Sequence, residues 1–456
     1  MGLNKAQQDF LAAAVTTPRL YVVGSCGIGK TLVCLELAKT LAILEGPQTT
    51  LVVAPPRVAR FSWSAEAAKW GYPEPIVLNG AKWPDVVPGR LHTVTYNGLQ
   101  RLRKDVLKDG RKCPFNFVIF DEVTFCKNPS GNRINSVRRI FDKHCPRILG
   151  MTGTPISTGM LDLFAQIRTV CGPSVFGEAF TQWRFKYFYP TDFNQYNWAL
   201  KPGARQAILD EIKPHYAIFH ADEYDDLHIP NIVEHDVDVV MPPSMKKRYG
   251  ETNRELKKRL RSATDDTVTA SVVVQKALQL ANGMIIERGE EYFDAAGKVR
   301  RDDITHMLDD FKVVAVKKLL KSLGDPNALI ICNYRGDKAR MAKALGAETS
   351  ITDDTVNRWN AGKINRIVAH HGSLSHGLNL QGGGRTVIWA TPVYSDDVYH
   401  QTNSRLARPG PLADAVNVYR LIARDTVEEG VIETLRSRGQ GLKALLKTLV
   451  EMQRLV

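Results

Sequence analysis

Eight residues near the start of the chain, Gly24-Ser25-Cys26-Gly27-Ile28-Gly29-Lys30-Thr31, have the types and spacing of a phosphate cradle. They fit G-x-x-x-x-G-K-[ST] in full, follow an apolar run and open a helix-like stretch, which is the context the pattern requires. The glycines let the backbone wrap closely around phosphates, and N–H groups at a helix start favour an anion. In such a loop Lys30 reaches the β- and γ-phosphates, and the Thr31 hydroxyl holds Mg²⁺. The plainer reading is a Gly-rich turn.

A second pair of residues could do chemistry on what the cradle holds. The apolar run Phe117–Phe120 leads directly into Asp121-Glu122. Two carboxylates at the end of a buried strand sit at the carboxyl edge of a sheet, where ligands bind in such folds. Asp121 is then a ligand for Mg²⁺, and Glu122 orients and deprotonates an attacking water. A solvated acidic turn is the alternative. Far along the chain, Arg405 and Arg408 stand three residues apart, and Gln401 stands four before Arg405. If that stretch is helical, all three share one face.

The elements that must position these groups are legible in outline. Leu20–Val23, Leu51–Ala54, Phe117–Phe120 and Ile148-Leu149 are short runs apolar on both faces, with helix-like segments such as Leu32–Leu44 between them. Alternating strands and helices imply a parallel sheet covered by helices. From about Gly159 to Lys312 the chain is rich in aromatic and charged residues and reads as mostly helical. A second series of strands follows at Ala328–Cys332, Arg366–Ala369, Val387–Ala390 and Val418–Ile422, with a closing helix from Thr426.

These pieces stand in the order of the helicase motifs of superfamily two. Leu3 and Gln7 resemble the adenine-reading Q motif, and Val53-Ala54-Pro55-Pro56-Arg57-Val58 resembles motif Ia. Asp121-Glu122-Val123-Thr124 is similar to a DEAH-type motif II, and Thr152-Gly153-Thr154-Pro155 to motif III. Lys127-Asn128-Pro129-Ser130 resembles the K-N-x-x-S stretch of Swi/Snf-type motors. Arg358-Trp359-Asn360 resembles the stretch before motif V, Gly377–Gln381 resembles motif V, and Gln401–Gly410 resembles motif VI. The resemblance is to compact Swi/Snf-like members from bacteriophages and bacteria. Two departures stand out. Motif II ends in Val-Thr rather than Ala-His, which leaves its coupling to motif III open, and motif VI ends in Pro409-Gly410-Pro411.

The resemblance implies an α/β chain with two tandem RecA-like lobes and a mostly helical insertion. Its expected bounds are 1–170, 171–312 and 313–456. It implies an ATP- and Mg²⁺-dependent, nucleic-acid-dependent ATPase. Gln7, the loop Gly24 to Thr31 and Gly377 would bind nucleotide. Arg405 and Arg408 would act as arginine fingers, and Gln401 would sense the nucleotide or its water. Arg57, Thr95, Thr152 and Arg335 would contact a nucleic-acid backbone, although Thr152 could instead only shape its turn. Such contacts position a motor without reading sequence. The expected activity is translocation on duplex or branched DNA. A strand-separating DNA or RNA helicase is an alternative, as is a nucleotide-gated DNA-binding scaffold.

Charge and composition agree with a nucleic-acid partner. The formal net charge is +13, and polyanions attract such surfaces. Lys246–Arg261 holds eight basic and two acidic residues; it is either a phosphate-gripping helix or a solvated charged face. The aromatics Trp183, Phe185, Tyr187, Phe188 and Tyr189 could stack on bases but more commonly such a set is core. His370-His371 lacks companions at ligand spacing and reads as a turn. The seven cysteines are scattered without C-x-x-C spacing, which fits a reducing cytoplasm. No signal-like or membrane-spanning run is present, so no membrane partner is expected. A recruiting protein partner is compatible with this reading, but no residue pattern points to one.

Overall fold

The computed structural model describes residues 2–78, 85–109, 113–142, 145–156, 159–224, 227, 229–261, 270–293, 299–374, 378–408 and 415–454. Two units result, one of Met1–Ile229 with Arg438–Val456 and the other of Pro230–Ser437.

The first unit is built on seven strands. In chain order they are β1 (Arg19–Gly24), β2 (Thr50–Ala54), β3 (Ile76–Val77), β4 (Leu91–Thr95), β5 (Phe117–Asp121) and β6 (Arg147–Thr152). A short hairpin of β7 (Phe188–Pro190) and β8 (Trp198–Leu200) precedes the last one, β9 (Tyr216–Phe219). The sheet order is β3-β4-β2-β5-β6-β1-β9, with every ladder parallel. Successive side chains of a strand point to opposite faces. Accordingly Tyr21, Val23, Leu51, Val53, Val118 and Phe120 enter one core, and Leu20, Val22, Val52, Ala54, Phe117 and Ile119 enter the other. Both faces are covered, which is why these strands read as unbroken apolar runs. Leu442 and Leu445, from the helix Val427–Arg454, are buried in the first of these cores.

The second unit holds β10 (Asn231–Val239), then two short antiparallel pairs: β11 (Met284–Glu287) with β14 (Ile304–Met307), and β12 (Glu291–Phe293) with β13 (Val299–Arg301). Its main sheet is completed by β15 (Ala328–Ile331), β16 (Arg366–Ala369), β17 (Thr386–Trp389) and β18 (Ala415–Ala423). The order is β10-β18-β17-β15-β16, again all parallel. Ala328 and Ile330 face one core, and Leu329 and Ile331 face the other.

The two parallel α/β lobes are those expected, but the three-part division is not. No third unit separates them, because β9 pairs with β1 in the first sheet and β10 pairs with β18 in the second. The stretch 171–312 is therefore shared between the lobes at residue 229/230. It carries helices, as expected, together with six short strands, from β7 and β8 to β11–β14, besides β9 and β10. Among the described residues, no helix is long and apolar enough to cross a membrane.

Candidate active site

The phosphate cradle is built from the end of β1, a tight loop and the start of the helix Lys30–Glu45. Gly27 and Gly29 take φ of 92° and 81°, the left-handed region that glycine enters without penalty. Gly29 caps the helix and has no side chain to take up its first N–H groups. The Lys30 ammonium donates to the carbonyls of Gly24 at 2.8 Å and Ser25 at 3.0 Å, within its own loop. Ser25 is braced on both sides: its N–H donates to Phe219 O and its hydroxyl accepts from Ala221 N–H. Strand β9, which the sequence reading missed, thus holds the cradle's floor. Thr31 lies in the first turn of the helix, and Cys26 and Thr31 are half-buried.

Gln7 comes to this loop from the helix Lys5–Thr16. Its amide nitrogen donates to Ile28 O at 3.1 Å, and its oxygen accepts from Asn4 N–H in a reciprocal cap. A Cβ on Gly29 would meet that nitrogen, the movable end of a side chain, so it is the φ of 81° that calls for glycine here. Gly153 also closes on the cradle: a Cβ there would stand 3.5 Å from Cys26 Sγ and Gly24 O.

The two carboxylates stand at the carboxyl end of β5, neighbouring β6. Asp121 accepts from the Trp63 indole N–H at 3.0 Å. Burial pushes its carboxyl up to about 6; the Trp63 bond pulls it down, the Glu122 charge raises it, and the Lys30 charge lowers it. Glu122 has φ 63°, a left-handed backbone in a residue other than glycine. Strained backbone of this kind persists only where surroundings hold it. Here the Tyr96 hydroxyl donates to the carbonyls of Asp121 and Glu122, at 3.1 and 3.0 Å. The side chain is held as firmly. Glu122 Oε1 accepts from Thr124 Oγ1 and from Thr152 Oγ1, both at 2.6 Å.

This arrangement answers the departure in motif II. Coupling to Thr152-Gly153-Thr154-Pro155 runs through the Glu122 carboxylate itself, with Thr124 as the second donor. Thr152 is 1% exposed, and its hydroxyl donates to Glu122 and accepts from Thr154 N–H, which agrees with the turn-shaping alternative for this residue. Thr95 accepts from Gly98 N–H at the start of the helix Tyr96–Asp109. Arg57 is half-buried after β2, and Arg335 is exposed at the start of the helix Arg335–Leu345. Trp63, Tyr96 and Thr124 escaped the sequence reading as site residues; only Thr124, inside the motif, carried a signal.

In the second lobe the residues of motif VI are not on one helical face. The helix Asp396–Asn403 ends before Arg405, and a turn follows. Gln401 occupies its last turn, Arg405 is 5% exposed, and Arg408 is half-buried. The turn separates the arginines because Leu406 and Ala407 enter the core between them. Arg408 donates to the Asn379 side chain, and Leu380 N–H donates to Arg405 O at 3.1 Å, so motif VI is tied to motif V. Trp359 and Asn360 brace the same loop through Leu380 O, Asn379 O and Gly382 N–H. Gly377 and 409–411 lie outside the described residues.

Residues 1–157 match the family described as "Type III restriction enzyme, res subunit". The matched stretch holds the Gly24–Thr31 cradle and the Asp121-Glu122 pair. The chain is 27% identical over 444 residues to "Putative protein p41" of Acyrthosiphon pisum secondary endosymbiont phage 1, with 92% of each chain covered. It is similar to a solved structure titled "Sulfolobus solfataricus SWI2/SNF2 ATPase core in complex with dsDNA". There the identity is 17% and the TM-score 0.44, over 98% of this chain and 93% of that one.

The remaining candidates divide. Trp183, Tyr187 and Phe188 are buried in the first lobe, while Phe185 and Tyr189 are exposed. His370 Nδ1 accepts from Gly372 N–H and its carbonyl from Ser373, a turn as expected. Burial, then the His370 charge, pushes the neighbouring His371 down to about 4. Among the described residues no group of His, Cys, Asp or Glu side chains could by itself hold a metal ion, and all seven cysteines are free.

Proposed function

We propose that the chain is a nucleic-acid-dependent ATPase, a Swi/Snf-like motor of helicase superfamily two that couples Mg²⁺-dependent ATP hydrolysis to translocation on duplex or branched DNA, with little sequence preference. The observation that carries the reading is the Glu122 carboxylate, fixed by two threonine hydroxyls at the sheet edge. A general base must be oriented before it can take a proton from water, and a rigid carboxylate between motifs II and III meets that need. The donor set fits the nucleotide and its ion. Lys30 and the N–H groups of the loop suit phosphates, and Thr31 and Asp121 are the hard oxygen ligands Mg²⁺ prefers. A bound cation would stabilise the ionised form of Asp121, whose carboxyl is otherwise pushed up to about 6. Arg405 and Arg408 are assigned to charge neutralisation on the transferring phosphoryl group, and Arg57 and Arg335 to the DNA backbone.

The test is steady-state ATP hydrolysis without nucleic acid and with blunt duplex, forked DNA, single-stranded DNA and duplex RNA. Glu122→Gln protein serves as the blank. Stimulation by duplex or forked DNA is the expected result. Stimulation confined to single strands or RNA would replace this reading with a strand-separating helicase. Bound ATP with no turnover on any nucleic acid would replace it with a nucleotide-gated scaffold.

A further inference from the structure

Positive charge in this chain is concentrated on one element. The helix Pro243–Arg261 carries eight basic and two acidic residues, which leaves it with six of the chain's net +13. A run of cations often does no more than solvate a surface, so its orientation decides what it can do.

That orientation is fixed. Met245 is 4% and Tyr249 7% exposed, both within the core of the second lobe. The Tyr249 hydroxyl accepts from Val427 N–H at 2.9 Å, and Lys246 pairs with Asp425 at 2.7 Å. These contacts lock the first turns of the helix to the turn after β18. Lys247 lies midway in sequence between Met245 and Tyr249, roughly 200° around the helix from each. It therefore points directly away from the core. Arg254 and Lys258 follow seven and eleven residues later, within about 20° of the same line at 3.6 residues per turn. All three are exposed. They form a straight stripe about 16 Å long at 1.5 Å rise per residue.

Arg254 and Lys258 are also a like-charged pair one turn apart, an arrangement that disfavours an isolated helix. Such a face gains most from an external row of anions. Peptide carboxylates are single, flexible charges, whereas a nucleic-acid backbone presents regularly spaced phosphates. We propose that this helix is a phosphate-backbone contact of the motor, gripped through Lys247, Arg254 and Lys258. The proposal rests on the nucleic-acid reading above and adds a surface to it. Contacts of this kind carry no sequence information and make binding steeply salt-dependent.

The test compares full-length protein with K247A/R254A/K258A and with a control, K317A/K318A/K321A. The control removes the same charge from exposed lysines of the helix Phe311–Ser322. Affinity for a fluorescent 30-base-pair duplex of arbitrary sequence is measured by anisotropy from about 50 to 200 mM salt, the range over which phosphate contacts dominate. Losing three phosphate contacts lowers the slope of log K against log salt by about 2.7, at roughly 0.9 per contact. The expected result is that drop for the first variant and a near wild-type slope for the control. Alanine is the best helix former, so the variant keeps its helix, and an unchanged melting temperature verifies this. Wild-type slope and affinity in the first variant overturn the proposal, as does an equal loss in both variants, which reports net charge alone. An acidic protein partner would be indicated by the first of these results. Absence of duplex binding by the wild-type protein overturns the duplex-motor reading on which the proposal rests, and is told apart because no variant is needed to see it.

Discussion

The Glu122 carboxylate and the Thr152 hydroxyl meet at 2.6 Å, joining the end of β5 to the end of β6. Thr152 is buried and its hydroxyl also accepts from Thr154 N–H, so any part it plays in turnover would run through its hold on Glu122. Thr152→Val keeps the shape and removes the donor. Thr124 remains, so Glu122 is loosened rather than stranded. The expected outcome is a fall in kcat of about ten- to a hundredfold, below the roughly 10²–10⁴ that general-base catalysis contributes. Nucleotide affinity should stay within about twofold, since uniform binding is untouched. Thr152→Ser should recover most of the rate. Single-turnover hydrolysis and nucleotide titration separate the two quantities, and a Val variant that turns over at the wild-type rate removes Thr152 from the machinery.

The raised carboxyl of Asp121 makes a pH-dependent prediction about stability. The folded protein holds this proton more tightly than the unfolded chain does, with about 6 against an ordinary 3.8. The contribution is therefore fully present below 3.8 and lost as pH rises through about 6. At pH 8 the buried charge costs about 1–3 kcal/mol, because each tenfold difference in proton affinity between the two states is worth about 1.4 kcal/mol. Asp121→Asn keeps an oxygen for the Trp63 N–H and carries no charge. Nucleotide-free Asp121→Asn should melt several degrees above wild type at pH 8, at about 2–4 °C per kcal/mol, with most of that gain gone at pH 4. It should also lose turnover with Mg²⁺. A melting difference that is the same at both pH values contradicts the raised proton affinity.

Arg408 and Asn379 form a side-chain pair that ties motif VI to motif V. An arginine that acts on the transferring phosphoryl group contributes roughly 10³–10⁵ in rate and little to ground-state binding. Arg408→Ala should lower kcat by about 10³ while moving KM only slightly. Asn379→Ala leaves the guanidinium present but less oriented, and a smaller loss of the same kind is expected. Steady-state kinetics on saturating DNA read both. Small, equal changes in kcat and KM for Arg408→Ala would sink the assignment.

What could be read beforehand followed from local physics. The cradle was legible because a close backbone approach demands glycines at set spacing, and Phe117–Phe120 because a strand covered on both faces is apolar throughout. Strand β10 was not. It lies at a sheet edge with exposed Asn231, Val233, Glu234 and Asp236, so Asn-Ile-Val-Glu-His-Asp-Val-Asp-Val has no buried-strand pattern. β9 is only Tyr216–Phe219 and was submerged in an aromatic-rich stretch. Trp63 reaches Asp121 across 58 residues, and Tyr96 reaches it across 25. Such partners are set by tertiary packing, and no spacing rule finds them. The turn at Arg405–Arg408 defeated a helical reading for a similar reason, since burial of Leu406 and Ala407 outweighed the periodicity.

The second lobe contains a fully enclosed ion pair, Lys312 with Glu428, at 2.7 Å and 0% exposure on both sides. Lys312 also donates to Leu421 O at 3.0 Å, and the same Glu428 oxygen accepts from Ala423 N–H at 2.7 Å. Desolvation raises the Glu428 carboxyl, opposed by the Lys312 charge beside it. The pair fastens the helix Phe311–Ser322 to the end of β18 and to the first turn of the closing helix. Breaking a buried pair from one side leaves an uncompensated charge, which costs about 3–5 kcal/mol, whereas replacing both partners is often close to neutral. Lys312→Met and Glu428→Gln should each destabilise the lobe by about that amount. The double variant removes both charges and keeps an acceptor for Ala423, so it should recover most of the loss. Urea unfolding of the four proteins forms a complete double-mutant cycle. Single losses that simply add in the double variant would mean that the two charges are not coupled, and that Glu428 is held by its backbone contact alone.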